Sequence, residues 1–430
     1  MTEEIPATKT SAMLEQSAGS QPKRILIFSL AYDPLWGGAE LAVKEITDRI
    51  EPERFSFEMI TARFDSGLPK KERIGNITVH RVGRGKPSPT AEEMVRFPLY
   101  LSKVFYPVRA FFKAVSLHRA QRFDALWSIM AYAGFPAVLF KLFRSRRMPF
   151  LLTLQEGDTV EQMVGRWRIK AVWPLFTLVF KKATVVQAIS SYLAQFAYDQ
   201  GARAPIEIVP NGVDVAAFTK VYSTEERAAL RAKLSMREGE KYLITTSRLV
   251  PKNAIDAVLQ ALSRLPYNVR FLILGEGPLR ASLEKLARDE GVAERVRFLG
   301  QVERGDIPLY LQVCDIFIRP SRSEGMGSSF VEAMAAGIPV IATPVGGIVD
   351  IIEDYRTGLF VTVDDPESIA QKVAVLLKED TLREGLVRNA KAMVVAKHDW
   401  NAIVDLMLSR VFSGLFKKEK RDWIIMPHSG

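Results

Sequence analysis

Short apolar runs rich in β-branched residues, most of them followed by a helix-length stretch, recur from Lys23 to Thr343. A strand that returns by way of a helix re-enters its sheet in the same direction, so this alternation predicts parallel sheets wound on both faces. Runs at 23–30, 57–61, 77–82, 125–128, 150–154, 184–189 and 206–209 make a first α/β unit. Runs at 242–246, 269–274, 296–299, 314–319 and 339–343 make a second. Between them, the turn Pro210-Asn-Gly-Val-Asp214 opens a charged, loosely patterned stretch to Gly239 that marks the join. The expected division is a disordered tail at 1–21, one domain at 22–216 and a second at 217–396. A C-terminal helix and tail follow at 397–430, placed to return to the first domain.

A chain of 430 residues, 48% hydrophobic and 25% charged, has ample core for two domains. Its one cysteine, Cys314, excludes a disulfide framework and a cysteine zinc site, and suits a reducing cytoplasm. His80, His118, His398 and His428 are scattered, so no metal site is expected. The first twenty residues are polar and resemble neither a signal peptide nor an anchor, and no apolar run is long enough to span a bilayer. A net charge of +10 favours an anionic partner: a nucleotide sugar, an anionic membrane or a nucleic acid.

The densest chemistry lies between two apolar runs, in Arg319-Pro-Ser-Arg-Ser-Glu-Gly-Met-Gly-Ser-Ser-Phe-Val-Glu332. A loop leaving the carboxyl end of a parallel strand is where open α/β sheets bind ligands, and Gly325 and Gly327 let backbone approach a phosphate. Amides at the following helix start, from Met326 to Ser329, would face the anion. Glu324 can accept bonds from sugar hydroxyls, and Glu332, a turn inside the helix, suits a neutral diol such as a ribose. A competing expectation is that Ser329 and Glu332 form a capping box that only closes the helix start.

Two glutamates with seven residues between them, followed by Ala-Met-Ala-Ala-Gly-Ile-Pro-Val-Ile-Ala342, resemble the signature of retaining glycosyltransferases of family 4. That resemblance implies a GT-B fold, two doubly wound Rossmann-like domains facing across a cleft. It also implies a nucleotide diphosphate sugar, linked to UDP or GDP, as donor substrate. Gly37-Gly-Ala-Glu40, feeding a helix at 41–50, resembles the family's N-terminal glycine loop, which places Gly37 and Gly38 at the donor phosphates. Thr246-Ser-Arg-Leu-Val-Pro-Lys-Asn253 matches the stretch that supplies cations to the diphosphate, giving Arg248 and Lys252 that role. Gly275-Glu-Gly-Pro278 lacks the third glycine of a dinucleotide fingerprint, so no cofactor is expected.

Two departures stand out. Where the family pattern has Lys-Gly, this chain has Asn253-Ala254, with Lys252 one residue early; either Lys252 swings into the role or Asn253 leaves the site one charge short. Where many members have a histidine beside the reacting sugar, this chain has Gln155-Glu-Gly-Asp158. Gln155 can bond a hydroxyl but cannot exchange a proton. Glu156 and Asp158 either act on an acceptor hydroxyl or cap the next helix.

The stretches 97–113 and 166–182 interleave bulky aromatics with Lys and Arg, as helices at a lipid interface do. The alternative is a pair of core helices with solvated basic faces. No nucleic-acid motif accompanies them, and no nucleic acid is expected as a partner. The expected function is metal-independent, hexosyltransferase-like transfer to a lipid-linked or polysaccharide acceptor in cell-surface glycan synthesis, in the cytoplasm or at the membrane's inner face. No Asp-x-Asp occurs to bridge a metal to the donor. The rival expectations are a non-catalytic GT-B protein that binds a sugar nucleotide or partner, and a sugar-nucleotide epimerase.

Overall fold

The computed structural model describes residues 21–34, 37–89, 93–158 and 173–417. The N-terminal tail expected to be disordered and the last residues of the C-terminal tail lie outside that set. So does 166–172, the basic start of the second aromatic stretch.

Eight strands form the first sheet: β1 (Lys23–Phe28), β2 (Phe55–Ala62), β3 (Lys71–Ile74), β4 (Ile77–Val82), β5 (Ala125–Ile129), β6 (Phe150–Leu154), β7 (Val185–Ala188) and β8 (Ile206–Ile208). Their order is β3-β4-β2-β1-β5-β6-β7-β8. The central strands β5 and β6 are buried at every position, which is why they read as unbroken apolar runs. Only β3 runs antiparallel, on β4 at the edge. Its sequence, Lys-Glu-Arg-Ile, alternates exposed with half-buried and carries no apolar signal, so it is invisible to pattern reading.

The second sheet holds β9 (Lys241–Thr246), β10 (Val269–Leu274), β11 (Val296–Gly300), β12 (Ile316–Arg319), β13 (Val340–Ala342) and β14 (Leu359–Phe360), in the order β11-β10-β9-β12-β13-β14. All its pairings are parallel. The charged join is more structured than its composition implies. It contains a helix, Thr224–Lys233, whose start is closed by a capping box of Ser223 and Glu226.

After the helix Asp380–Lys397 the chain crosses back to the first domain. His398 O accepts from Val213 N at 2.7 Å, joining this crossing to the interdomain turn. Trp400, Ile403, Met407, Val411, Phe412 and Leu415 then bury themselves with Ile25, Ile27, Phe55 and Trp127 of the first domain. The Phe412 ring sits 5.5 Å from that of Trp127 and 5.1 Å from that of Phe55.

Candidate active site

Each sheet reverses its winding once. In the second, the chain builds outward from β9 to β11, then returns to the middle for β12 and builds the other way. The switch point between the adjacent strands β9 and β12 is where an open α/β sheet forms its ligand crevice, at the carboxyl edge. In the first sheet the reversal falls between β1 and β5. The loop after β1 leads into Gly37 and Gly38, and the loop after β6, the strand beyond β5, carries Gln155 to Asp158.

The β12 loop is held from both sides. Arg319, the last residue of β12 and 6% exposed, donates from Nη2 to Glu324 Oε2 at 2.9 Å and lies 4.6 Å over the Phe330 ring. This ion pair fixes the carboxylate in place. Behind it, Gly347 N donates to Glu324 O at 3.1 Å. A Cβ at Gly346 would stand 1.9 Å from Glu324 O, and one at Gly347 would stand 2.1 Å from Gly325 O, so only glycine fits there.

The helix Ser328–Ala336 starts from Gly327, whose φ of 93° is left-handed, and no side chain caps it. The capping box expected of Ser329 and Glu332 is not formed. Because Gly327 takes the cap, Ser329 already lies inside the first turn, and its Oγ is buried with no partner among the described residues. Glu332 instead accepts from Arg304 Nη2 at 3.2 Å. Burial pushes the Glu332 carboxyl above its usual range, while Arg304 and Arg319 pull it down.

On the β9 loop the Arg248 side chain is exposed and has no partner among the described residues. Lys252 reaches across the cleft, donating from Nζ to Gly157 O at 3.0 Å. Asn253 is buried and donates to Arg248 O at 2.7 Å, so it braces the backbone that presents Arg248. Arg322 stitches the two loops: its backbone N donates to Lys252 O at 2.7 Å, and its guanidinium binds Pro251 O, Asp256 and Asp364.

From the first domain, the side-chain amide of Gln155 pairs reciprocally with that of Asn211, at 3.0 and 2.8 Å. Asn211 N in turn donates to the Met326 sulfur at 3.2 Å. Glu156 accepts from Ala131 N at 2.7 Å and from Gln155 N at 2.9 Å. It therefore closes the start of the preceding helix, Met130–Phe143, rather than the next one. Burial raises its carboxyl above the ordinary value against the pull of these backbone bonds. Asp158 is half-buried at the end of the described stretch. Gly37 N donates to Glu40 Oε2 at 2.9 Å, so the glycine loop closes its own helix, Gly38–Asp48.

Glu324, Gly325, Met326 and Lys252 thus converge with the Gln155–Gly157 segment. A Cβ at Gly325 would lie 2.2 Å from Glu156 O. Sequence reasoning passed over Arg319, Arg304, Asn211 and the Gly346-Gly347 turn. An arginine ending a buried strand was the available signal for Arg319; Arg304 and Asn211 declare themselves only through their partners. Polar groups without partners also gather at the crevice: among the described residues, the hydroxyls of Thr245, Thr246, Ser247, Ser321 and Ser329 and Nε of Arg319 are buried and unpaired. Among the same residues no cluster of His, Cys, Asp or Glu is placed to hold a metal ion.

Two doubly wound domains that meet with their carboxyl edges facing define the GT-B class. A solved structure of that class, Anabaena HepE in complex with UDP and glucose, matches at a TM-score of 0.72 and 20% identity, over 91% of this chain and 100% of that one. The family description "Glycosyl transferase 4-like domain" matches residues 37–212 and "Glycosyl transferases group 1" matches residues 226–393. The chain belongs to the group 1, family 4-like glycosyltransferases. An uncharacterized glycosyltransferase of Methanocaldococcus jannaschii is 25% identical over 88% of this chain and 95% of its own length. A GDP-mannose-dependent phosphatidylinositol monomannoside mannosyltransferase of Mycobacterium tuberculosis is 34% identical over 51% of this chain. The match spans 59% of that relative's length.

Proposed function

We propose that this glycosyltransferase moves a sugar from a UDP- or GDP-linked donor to a lipid-linked or polysaccharide acceptor of the cell surface, with retention and without a metal ion. The observation that carries the donor reading is the crevice between β9 and β12. It brings to one edge a helix start with no side-chain cap and, among the described residues, an unpartnered Arg248 side chain and a cluster of unpaired buried hydroxyls. Buried polar groups are normally paired, so this concentration fits a polar ligand.

In this reading the helix amides and Arg248 meet the diphosphate, Glu332 accepts from the ribose diol, and Glu324, held by Arg319, accepts from sugar hydroxyls. Breaking the sugar–phosphate bond puts negative charge on the leaving diphosphate, which Arg248 and Lys252 stabilise where it develops. With these cations present and no Asp-x-Asp in the chain, the charge needs no divalent ion. The acceptor enters from the first domain, beside Gln155.

The mycobacterial relative's dependence on GDP-mannose and its phosphatidylinositol mannoside acceptor support a nucleotide sugar and a lipid-borne acceptor. The UDP and glucose of the HepE complex support the donor class. Among the described residues no helix is long and apolar enough to cross a membrane; the proposed location is cytoplasmic and peripheral to the inner face. A thermal-shift panel of nucleotide sugars identifies the donor, since a ligand that binds only the folded state raises its melting temperature. The anomeric configuration of the product, read by NMR, then tests retention. Donor hydrolysis or epimerisation with no transfer to any acceptor would overturn the proposal.

A further inference from the structure

Between Met94 and Gln155 the chain carries ten Lys and Arg residues and one acid, Asp124. Asp124 is already used, accepting from Arg24 N at 2.8 Å. This region folds into two helices, Leu99–Val104 and Tyr106–Ala120, that run nearly continuously through Phe105, which donates to Leu101 O and accepts from Arg109 N. One face is conventional core: Ser102, Tyr106, Ala110 and Ala114 are buried at intervals of four. The other face carries a second apolar stripe, Leu101, Phe105, Val108 and Phe112, spaced as one side of a helix yet exposed.

Phe97, 80% exposed, precedes the stripe, and Phe143, 73% exposed, extends it from the neighbouring helix. Phe111 links the two helices, its ring lying 5.2 Å from that of Phe112 and 6.2 Å from that of Phe143. Arg109, Lys113, Arg144, Arg146 and Arg147 lie exposed or half-buried in the same segments. The second aromatic stretch differs: in its described part, Phe176, Val179 and Phe180 are buried core.

We infer that this face, Phe97 to Phe112 with Phe143, is the surface by which the protein docks on an anionic lipid bilayer. Exposed aromatics supply insertion into the interface, and a one-signed basic rim supplies attraction to acidic headgroups. The inference rests on the proposed lipid-borne acceptor and names where it is met. The face adjoins the cleft: Tyr132 Oη donates to Lys103 O at 2.6 Å, and Ala131 beside it is the residue whose amide Glu156 accepts.

The test is co-sedimentation of the full chain with phosphatidylglycerol-containing and pure phosphatidylcholine vesicles, without donor. Binding is expected on the anionic vesicles and is expected to weaken with salt. The triple substitution Phe97→Ser/Phe112→Ser/Phe143→Ser should lower it more than tenfold at unchanged charge. The control Tyr198→Ser/Val221→Ser, exposed elsewhere, should retain it. Thermal melting and nucleotide binding of the triple variant report the fold and donor site separately, so a failure here is distinguishable from failure of the transferase reading. Equal vesicle binding by the triple variant, or no preference for anionic lipid, overturns the inference. So does a self-associated protein that the triple variant dissociates but vesicles do not bind, which would give the face to a second copy.

Discussion

Lys252 of the second domain donates to the backbone carbonyl of Gly157 of the first at 3.0 Å, and Ser323 Oγ donates to the same oxygen at 3.0 Å. One carbonyl thus joins the loops after β6, β9 and β12. A Cβ at Gly157 would stand 2.4 Å from Lys252 Nζ and 3.5 Å from Glu324 Oε1. The two domains meet at the residues assigned to the sugar and the diphosphate.

Because Lys252 is engaged with Gly157 while Arg248 has no side-chain partner among the described residues, the two cations should not contribute equally. Arg248→Ala is expected to lower kcat by about 100-fold, the scale for losing one preorganised group at a developing negative charge. Lys252→Ala should cost less, and donor binding should weaken less than turnover in both variants. Steady-state kinetics check this; an unchanged kcat in Arg248→Ala would remove that residue from the site.

Ala254 holds a left-handed conformation, φ 50° and ψ 40°, at the position where the family pattern has glycine. A Cβ in that region costs about 1–2 kcal/mol, partly offset by the greater unfolded-state freedom of glycine. Ala254→Gly should therefore raise stability by about 1 kcal/mol. Urea unfolding measures it, and a loss of stability would contradict the account of this turn.

Much of this architecture is legible in the residues. Wherever a strand is buried on both faces, as β5, β6, β10 and β12 are, an apolar run marks it closely. The helix at 41–50 is found at Gly38–Asp48, because Gly37 and Glu40 close its start. What escapes is what depends on a distant partner. The edge strand β3 has too little apolar content to show, and β14, though apolar, is only two residues long. In the site, Glu324 and Lys252 are named by their motif and Arg319 is signalled by its place at the end of a buried strand, but Arg304, which holds Glu332, is identified only by folding. Ser329 and Glu332 satisfy a capping-box spacing, and the left-handed turn at Gly327 moves the helix start so that the box cannot form.

The C-terminal crossing should matter to the first domain. Phe412, 1% exposed, lies against Phe55 and Trp127, so Phe412→Ala should cost about 3–5 kcal/mol in a core this well packed. Hydrogen exchange should show the loss in β1, β2 and β5. Faster exchange confined to the second sheet would contradict the observed packing.

The proposed metal independence predicts that transfer proceeds at nearly full rate in excess chelator. Activity lost on chelation and restored by magnesium or manganese would contradict it.

Burial raises the Glu332 carboxyl above its usual value of 4.5, and only the charged form accepts from both ribose hydroxyls. Nucleotide affinity should therefore fall, as the pH is lowered, at a higher pH than an ordinary carboxylate would dictate. Glu332→Gln lacks this titration, so the affinity gap between the two proteins should close on acidification; titrations at several pH values check it. Ionisation of the nucleotide's own phosphate is common to both proteins and cancels in the comparison.

Calorimetric titration of wild type and Glu332→Gln with free GDP and UDP at neutral pH tests the donor site most directly. A charged acceptor makes the stronger hydrogen bond, so the variant should bind its preferred nucleotide roughly tenfold more weakly, about 1.4 kcal/mol. Its ligand-free melting temperature should hardly move, because the amide oxygen of Gln can still accept from Arg304. Equal affinities in the two proteins, or no binding of either nucleotide by wild type, would contradict a nucleotide site between β9 and β12.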